Sequence, residues 1–270
     1  MHLPAWIELD GVVNMRDVGG LPTTDGGRIA PRRLIRSDNL QDLPAPSVRR
    51  VVEELGVTDV VDLRTHVEVA REGDGPLRAR QELHFHHFTL YPEDHQTGGL
   101  PPAERELPWA RDPHERDQRP PEAARAEHDD YWSSYYLGYL DRRPDSVVAA
   151  LRAISGSRGA VIVHCAAGKD RTGTIVGLAL KLAGVGDDTI TADFAASAER
   201  VPQILERLSR RATYAMQVTD ELVAQQSPRT DTMQRVLTGL DQRYGGLEAW
   251  LAGQGWRPDE TQRLRAKLRG

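Results

Sequence analysis

Short apolar runs alternate with stretches in which apolar residues recur every three or four positions, and the alternation predicts strands separated by helices. Val57 to Leu63 and Ala160 to His164 read as buried strands, and His84 to Leu90 as another. Residues 7–13 and 28–36 predict short strands on either side of the turn Thr23-Thr24-Asp25-Gly26-Gly27. Ser47 to Leu55 predicts a helix with Val48, Val51, Val52 and Leu55 on one face and Gly56 beyond its end. Asp130 to Leu140 is aromatic and helical in pattern, and Pro144 to Ile154 places Val147, Val148, Leu151 and Ile154 at helical spacing. Thr174 to Ala183 predicts a helix that Gly184 terminates. Beyond it the pattern stays helical: Thr189 to Ala198, a helix with Pro202 in its first turn, and one that Ser227-Pro228 begins. The expected fold is α/β, a mostly parallel central sheet with helices on both faces and a C-terminal helical layer.

The organisation expected is one domain over 1–270, interrupted by an excursion over 93–128 that is rich in Pro, Glu, Arg and Asp. A hydrophobic content of 39% suffices for a substantial core, and a net charge of −5 gives no global attraction to nucleic acid or to an anionic membrane. No nucleic acid is expected as a partner. No run approaches the roughly 18 apolar residues of a spanning helix. Met1 to Trp6 lacks a basic region followed by an apolar stretch, so no signal peptide is expected and the cytosol is the default. The sequence is silent on oligomeric state.

Chemistry concentrates in His164-Cys165-Ala166-Ala167-Gly168-Lys169-Asp170-Arg171-Thr172-Gly173, between a predicted strand and a predicted helix. It holds the chain's one cysteine, which excludes a disulfide framework and leaves Cys165 without a resolving partner in the chain. A strand-loop-helix turn aims backbone N–H groups at one point, and the helix N-terminus adds positive potential. The backbone of Ala166, Ala167, Gly168, Lys169 and Thr172 is therefore expected to cradle a phosphate. The same field favours the thiolate of Cys165. Arg171 offers a fork for two phosphate oxygens. A thiolate beneath a phosphoryl group can attack phosphorus in line and give a phosphocysteine that water then hydrolyses. Thr172 is expected to donate to the sulfur, and His164 to fix the loop through ring hydrogen bonds. The bland alternative, an inert buried Cys165 at a strand end, leaves Lys169, Asp170 and Arg171 in a row beside it unexplained.

The loop, in the form His-Cys-x-x-Gly-Lys-Asp-Arg-Thr-Gly, resembles the cysteine-dependent protein tyrosine phosphatase family, and most closely a bacterial branch of it. Asn14-Met15-Arg16-Asp17-Val18-Gly19-Gly20, Arg36-Ser37-Asp38, Asp62-Leu63-Arg64-Thr65 with Glu68, Thr191-Ala192-Asp193-Phe194, Ser197 and Tyr244-Gly245-Gly246 fit the branch's pattern as well. Met15 departs from the usual phenylalanine. The resemblance implies a phosphatase fold and activity on phosphotyrosine in proteins, often with phosphoinositides as a second substrate class. It implies a lid over about 187–226, for which a plain helical layer is the alternative. It leaves open export without a cleavable signal. It favours a role for Asp170, which also has the shortest route to the leaving oxygen as general acid. Asp94, after a predicted strand end, is the alternative acid.

Lys169 stands out because only three of the 35 basic side chains are lysine. A flexible point charge there can reach a second phosphate on the substrate, and the resemblance associates it with phosphoinositide activity. The plain alternative is a solvated loop lysine. No cofactor is expected. His84, His86 and His87 are dense enough for a zinc pair, but nothing at local spacing completes a metal site. Two other function classes compete with an esterase. One is a non-catalytic phosphate-binding interaction module, which would not need the thiolate. The other is a sulfur-transfer or arsenate-reducing enzyme, which would call for further redox cysteines or different loop glycines.

Overall fold

The structure, a computed structural model, describes residues 5–93, 100–111 and 125–270. The strands are β1 (Ala5–Trp6), β2 (Arg16–Asp17), β3 (Leu34–Ser37), β4 (Val57–Asp62), β5 (His84–His87) and β6 (Ala160–His164). Among the described residues they form one mixed sheet in the order β1-β2-β3-β6-β4-β5. Strands β3, β6, β4 and β5 run parallel, with β6 between β3 and β4 and β5 at one edge, and β1 and β2 add an antiparallel edge at the other.

Alternation along β6 assigns its side chains to two cores. Val161 and Val163 join the larger apolar cluster, and Ala160 and Ile162 join the smaller one on the other face. The smaller face is closed by the N-terminal loops and by α1 (Ala45–Arg49), which widens into a π-turn over Arg50–Glu54. The helix expected over 47–55 is present in this form. The helix α2 (His66–Glu72) follows β4, and α3 (Pro108–Arg111) lies within the predicted excursion. The larger core is covered by α4 (Arg125–Arg142), α5 (Pro144–Gly156) and α6 (Asp170–Leu182), which begins inside the loop that follows Cys165. Gly184, with φ of +86°, ends α6 in a left-handed conformation, as expected. The C-terminal part is helical: α7 (Asp187–Ala196), α8 (Val201–Ser209), α9 (Asp220–Gln226), α10 (Thr230–Tyr244), α11 (Leu247–Gly253) and α12 (Pro258–Arg269).

Three expectations need correction. Residues 7–13 form no strand: Asp38 takes the backbone N–H groups of Val13 and Asn14, so that stretch is a loop tied to a carboxylate. The strand expected over 28–36 starts only at Leu34, after Arg32 takes a positive φ of 54° that breaks the extended run. The strand expected from His84 to Leu90 ends at His87.

Candidate active site

Cys165 follows β6, the central strand, and the ends of both neighbours brace its loop. At the end of β3, Asn39 donates its N–H to the Ala166 carbonyl at 3.0 Å. From the β3 side, the Arg36 guanidinium donates to the Gly168 carbonyl at 3.0 Å. Asn14 Nδ2 donates to the Ala167 carbonyl at 2.9 Å, and His164 Nδ1 lies 3.3 Å from the Cys165 carbonyl. Four successive loop carbonyls are thus held on the outer side. In a trans peptide the N–H of the next residue opposes the carbonyl. The N–H groups of Ala166, Ala167, Gly168 and Lys169 therefore face the cradle side, and Gly168 N–H donates to Cys165 Sγ at 3.3 Å. Gly168 has φ of +70°, and a Cβ there would stand 2.4 Å from the Ser37 carbonyl, so the turn admits only glycine.

The motifs that were scattered in sequence meet behind this loop. Asp193, on α7, bridges Arg16 at 2.9 Å and Arg36 at 2.6 Å. Arg16 also donates to Asn14 Oδ1 at 3.0 Å and Ser197 Oγ at 3.1 Å. Burial, with the charge of Arg36 beside it, lowers Arg16 to about 10. Phe194 fills the space above Gly173, where a Cβ would come within 2.6 Å of its ring.

Arg171 is set from the other flank. Its guanidinium makes a two-pronged contact with Glu68 on α2, at 2.5 and 3.0 Å, and donates to the Leu63 carbonyl at 3.2 Å. Glu68 also closes the capping box that starts α2, accepting from Thr65 N–H at 2.7 Å while Thr65 Oγ1 accepts from Glu68 N–H. Tyr214 Oη donates to Glu68 Oε1 at 2.8 Å. Burial alone would push the Glu68 carboxyl up; Arg171 overrides it and holds the group below its ordinary range. Tyr91 and Trp109 rings lie 5.5 and 5.4 Å from the Arg171 guanidinium.

His164 is buried, 3.7 Å from Asp62, and burial depresses it to about 4. It is therefore neutral at ordinary pH. Thr172 departs from expectation: its hydroxyl is buried and finds no hydrogen-bond partner among the described residues, while the sulfur receives Gly168 N–H. Lys169 is not a solvated loop lysine. It is 5% exposed, bonds Asp170 at 2.9 Å and lies 5.8 Å from the Trp132 ring. Asp170 accepts from both Lys169 and Tyr136 Oη. Asp94 lies outside the described residues.

A cavity of about 730 Å³ opens above the loop. Ala166, Ala167, Lys169, Asp170 and Arg171 form its floor, and aromatic rings from α4 and Tyr91 form one wall. The opposite wall comes from α8, α9 and the link between them. Ile204, Leu208 and Tyr214 form one apolar cluster with Ala166. The roles of Glu68, Tyr136 and Tyr214 were not foreseen. Thr65-x-x-Glu68 marks a helix start, but nothing local points to Arg171, 103 residues away.

Among the described residues no group of three or more His, Cys, Asp or Glu side chains is placed to hold a metal, and no helix is long and apolar enough to cross a membrane. His86 instead pairs with Asp59 at 2.9 Å.

The sequence model of the tyrosine phosphatase family matches residues 7–270. The chain belongs to that family. It is 30% identical over 284 residues to the triple specificity protein phosphatase PtpB of Mycobacterium tuberculosis, covering 97% of this chain and 99% of that one. A tyrosine-protein phosphatase of Nostoc commune is 36% identical over 115 residues, 41% of this chain and 39% of that one. Hydrolysis of phosphomonoesters through a phosphocysteine is the chemistry of the family.

Proposed function

We propose that the protein hydrolyses phosphotyrosine in proteins, with Cys165 as nucleophile, Arg171 and the loop N–H groups as phosphate ligands and Asp170 as general acid. The thiolate attacks phosphorus, the S–P bond forms, and the P–O ester bond breaks. The electron pair goes to the phenolic oxygen, which takes its proton from Asp170. Water then attacks the phosphocysteine, gives its proton to the Asp170 carboxylate and releases phosphate and the thiolate. The N–H groups and Arg171 stabilise the equatorial oxygens in both steps.

The observation that carries this reading is the outward tethering of four loop carbonyls around a sulfur that already accepts a loop N–H. The aromatic wall supports a phenyl ester as substrate, because Tyr91, Trp109 and Tyr135 offer ring faces beside the floor. Within the segment 187–226, Ile204, Leu208 and Tyr214 share an apolar cluster with Ala166 and side chains between 205 and 226 line the cavity, which supports reading the segment as a cover for the site. Phosphoinositides are the second reading, favoured by Lys169 on the cavity floor. The Mycobacterium tuberculosis relative's description as triple specificity is in keeping with more than one class of phosphoester.

Phosphate release from p-nitrophenyl phosphate, and its loss in Cys165→Ser with vanadate binding retained, tests the reaction. Turnover in Cys165→Ser would end the phosphocysteine assignment. Phosphotyrosine peptides, phosphoserine peptides and phosphoinositides assayed in parallel test the substrate class.

A further inference from the structure

We infer that Tyr136 is a positioning residue for proton transfer: it holds one oxygen of Asp170 so that the other is presented to the leaving group. This rests on the assignment of Asp170 as the acid. Tyr136 lies on α4, is 3% exposed, and donates its hydroxyl to Asp170 Oδ1. Asp170 lines the cavity with its side chain 23% exposed, whereas Tyr136 stands behind it and does not line the cavity. The tyrosine therefore acts on Asp170 from the protein side and has no access to substrate.

Its placement is fixed by packing. The ring stands edge-on to Phe194 at 6.0 Å and stacks on Tyr139 at 6.1 Å. Phe194 in turn seats on Gly173, in the first turn of α6, three residues beyond Asp170. Burial and the neighbouring Asp170 carboxylate raise Tyr136 well above the ordinary tyrosine range. The hydroxyl thus remains a donor throughout the working pH range.

A carboxylic acid offers its proton from one oxygen only. With Oδ1 occupied by the Tyr136 proton, the acid proton of Asp170 must reside on Oδ2. Lys169 Nζ lies 2.9 Å from Oδ2 and 3.1 Å from Oδ1, whereas Tyr136 donates to Oδ1. A substrate phosphoryl oxygen that draws Lys169 away frees Oδ2, and Tyr136 keeps Asp170 from following the lysine. Without the hydroxyl, Lys169 touches both oxygens alike, and the carboxyl can turn its proton away from the ester oxygen.

The test compares Tyr136→Phe, Asp170→Asn and the double variant on phenyl phosphate and p-nitrophenyl phosphate. Phenol needs the proton on leaving and p-nitrophenolate barely does. Tyr136→Phe keeps the packed ring, and its thermal midpoint checks the fold. The expected result is a loss of about tenfold in kcat on phenyl phosphate, the worth of one charge-assisted hydrogen bond. The rate on p-nitrophenyl phosphate should stay within about twofold, and the double variant should be no slower than Asp170→Asn. Equal slowing on both esters, or a full additive loss in the double variant, overturns the positioning role. Should Asp170→Asn itself slow both esters equally, the acid assignment fails and the role of Tyr136 falls with it; intact selectivity loss in Asp170→Asn with none in Tyr136→Phe rejects Tyr136 alone.

Discussion

The wall behind the phosphate loop is held by buried ion pairs, with Asp193 between Arg16 and Arg36 and Asn14 tied to both the loop and Arg16. The wall in front is made of rings from α4, of Tyr91, and of side chains from α8 and α9, around about 730 Å³ of open space. Each buried charge behind the loop is paired, so a change there leaves an unpaired charge in a dry place. In front, contacts are largely apolar or partly exposed, and the polar groups Gln217, Gln225 and Gln226 line open space. Catalysis by a preorganised cradle calls for the first kind of wall, because the N–H groups must already point at the phosphate. Admission of a substrate calls for the second. Removing parts of the back wall should therefore cost stability and all activities together, whereas changes in front should separate one substrate from another.

Asp193→Ala is the strongest test of the back wall. It leaves Arg16 and Arg36 buried, adjacent and without their shared carboxylate. Breaking a buried pair of this kind costs about 3–5 kcal/mol. Urea unfolding should show that loss, with activity on every substrate falling in proportion. A loss below about 1 kcal/mol would mean that the two arginines find other partners and that the loop does not depend on Asp193.

Arg171 stands where the two walls meet, with Glu68 behind it and the cavity before it. Arg171→Lys keeps the charge but cannot bridge both Glu68 oxygens and a phosphate. The rate should fall on the order of a hundredfold or more on p-nitrophenyl phosphate and phosphotyrosine alike. Near-normal kinetics would show that the guanidinium serves only Glu68.

His164 gives the back wall a pH signature. Its folded-state value of about 4 lies below the ordinary 6.5, so the unfolded chain binds the proton more readily. Stability from this group is complete above pH 6.5 and falls as pH drops toward 4, by roughly 3 kcal/mol in all. Glu68 and Asp193, held below their ordinary ranges, add further losses at lower pH. Denaturation measured between pH 7 and pH 4 should show the slope, and His164→Gln should flatten it. An unchanged slope in that variant would assign the effect to other groups.

The same contrast explains what the chain reveals before it is folded. The loop, β6 and α6 are legible because strand, nucleophile, glycine and helix follow one another within about two dozen residues, and their chemistry is local. The back wall is legible only as separate motifs around Asn14, Arg36, Asp62 and Asp193. Their meeting depends on contacts that span more than 150 residues. The front wall is the least legible. The aromatic run Tyr131 to Tyr139 predicts a helix, but helical spacing does not say that Tyr136 turns to Asp170 while Tyr135 turns to the cavity. Thr172 misleads for a related reason: a hydroxyl near a sulfur in sequence is a candidate donor, yet the loop's turn gives that place to Gly168 N–H.

Lys169→Ala carries the smallest expected effect and probes the front wall alone. A phosphoinositide head group presents more than one phosphate, whereas a phosphotyrosine peptide presents one at the reacting site. A contact from Lys169 to a second phosphate is a charge-assisted bond worth about 1.5–3 kcal/mol, or roughly ten- to a hundredfold in kcat/KM. Lys169 is, however, paired with Asp170 at 2.9 Å, and a phosphate must displace that carboxylate to engage it. The net loss on phosphoinositides should therefore sit at the low end, about tenfold. On phosphotyrosine it should be smaller, since Asp170 keeps its bond from Tyr136 when the lysine is gone. Parallel kcat/KM measurements on both substrates decide it. Equal losses would place Lys169 at the phosphate site common to both, and the front wall would then hold no residue that tells the two classes apart by charge.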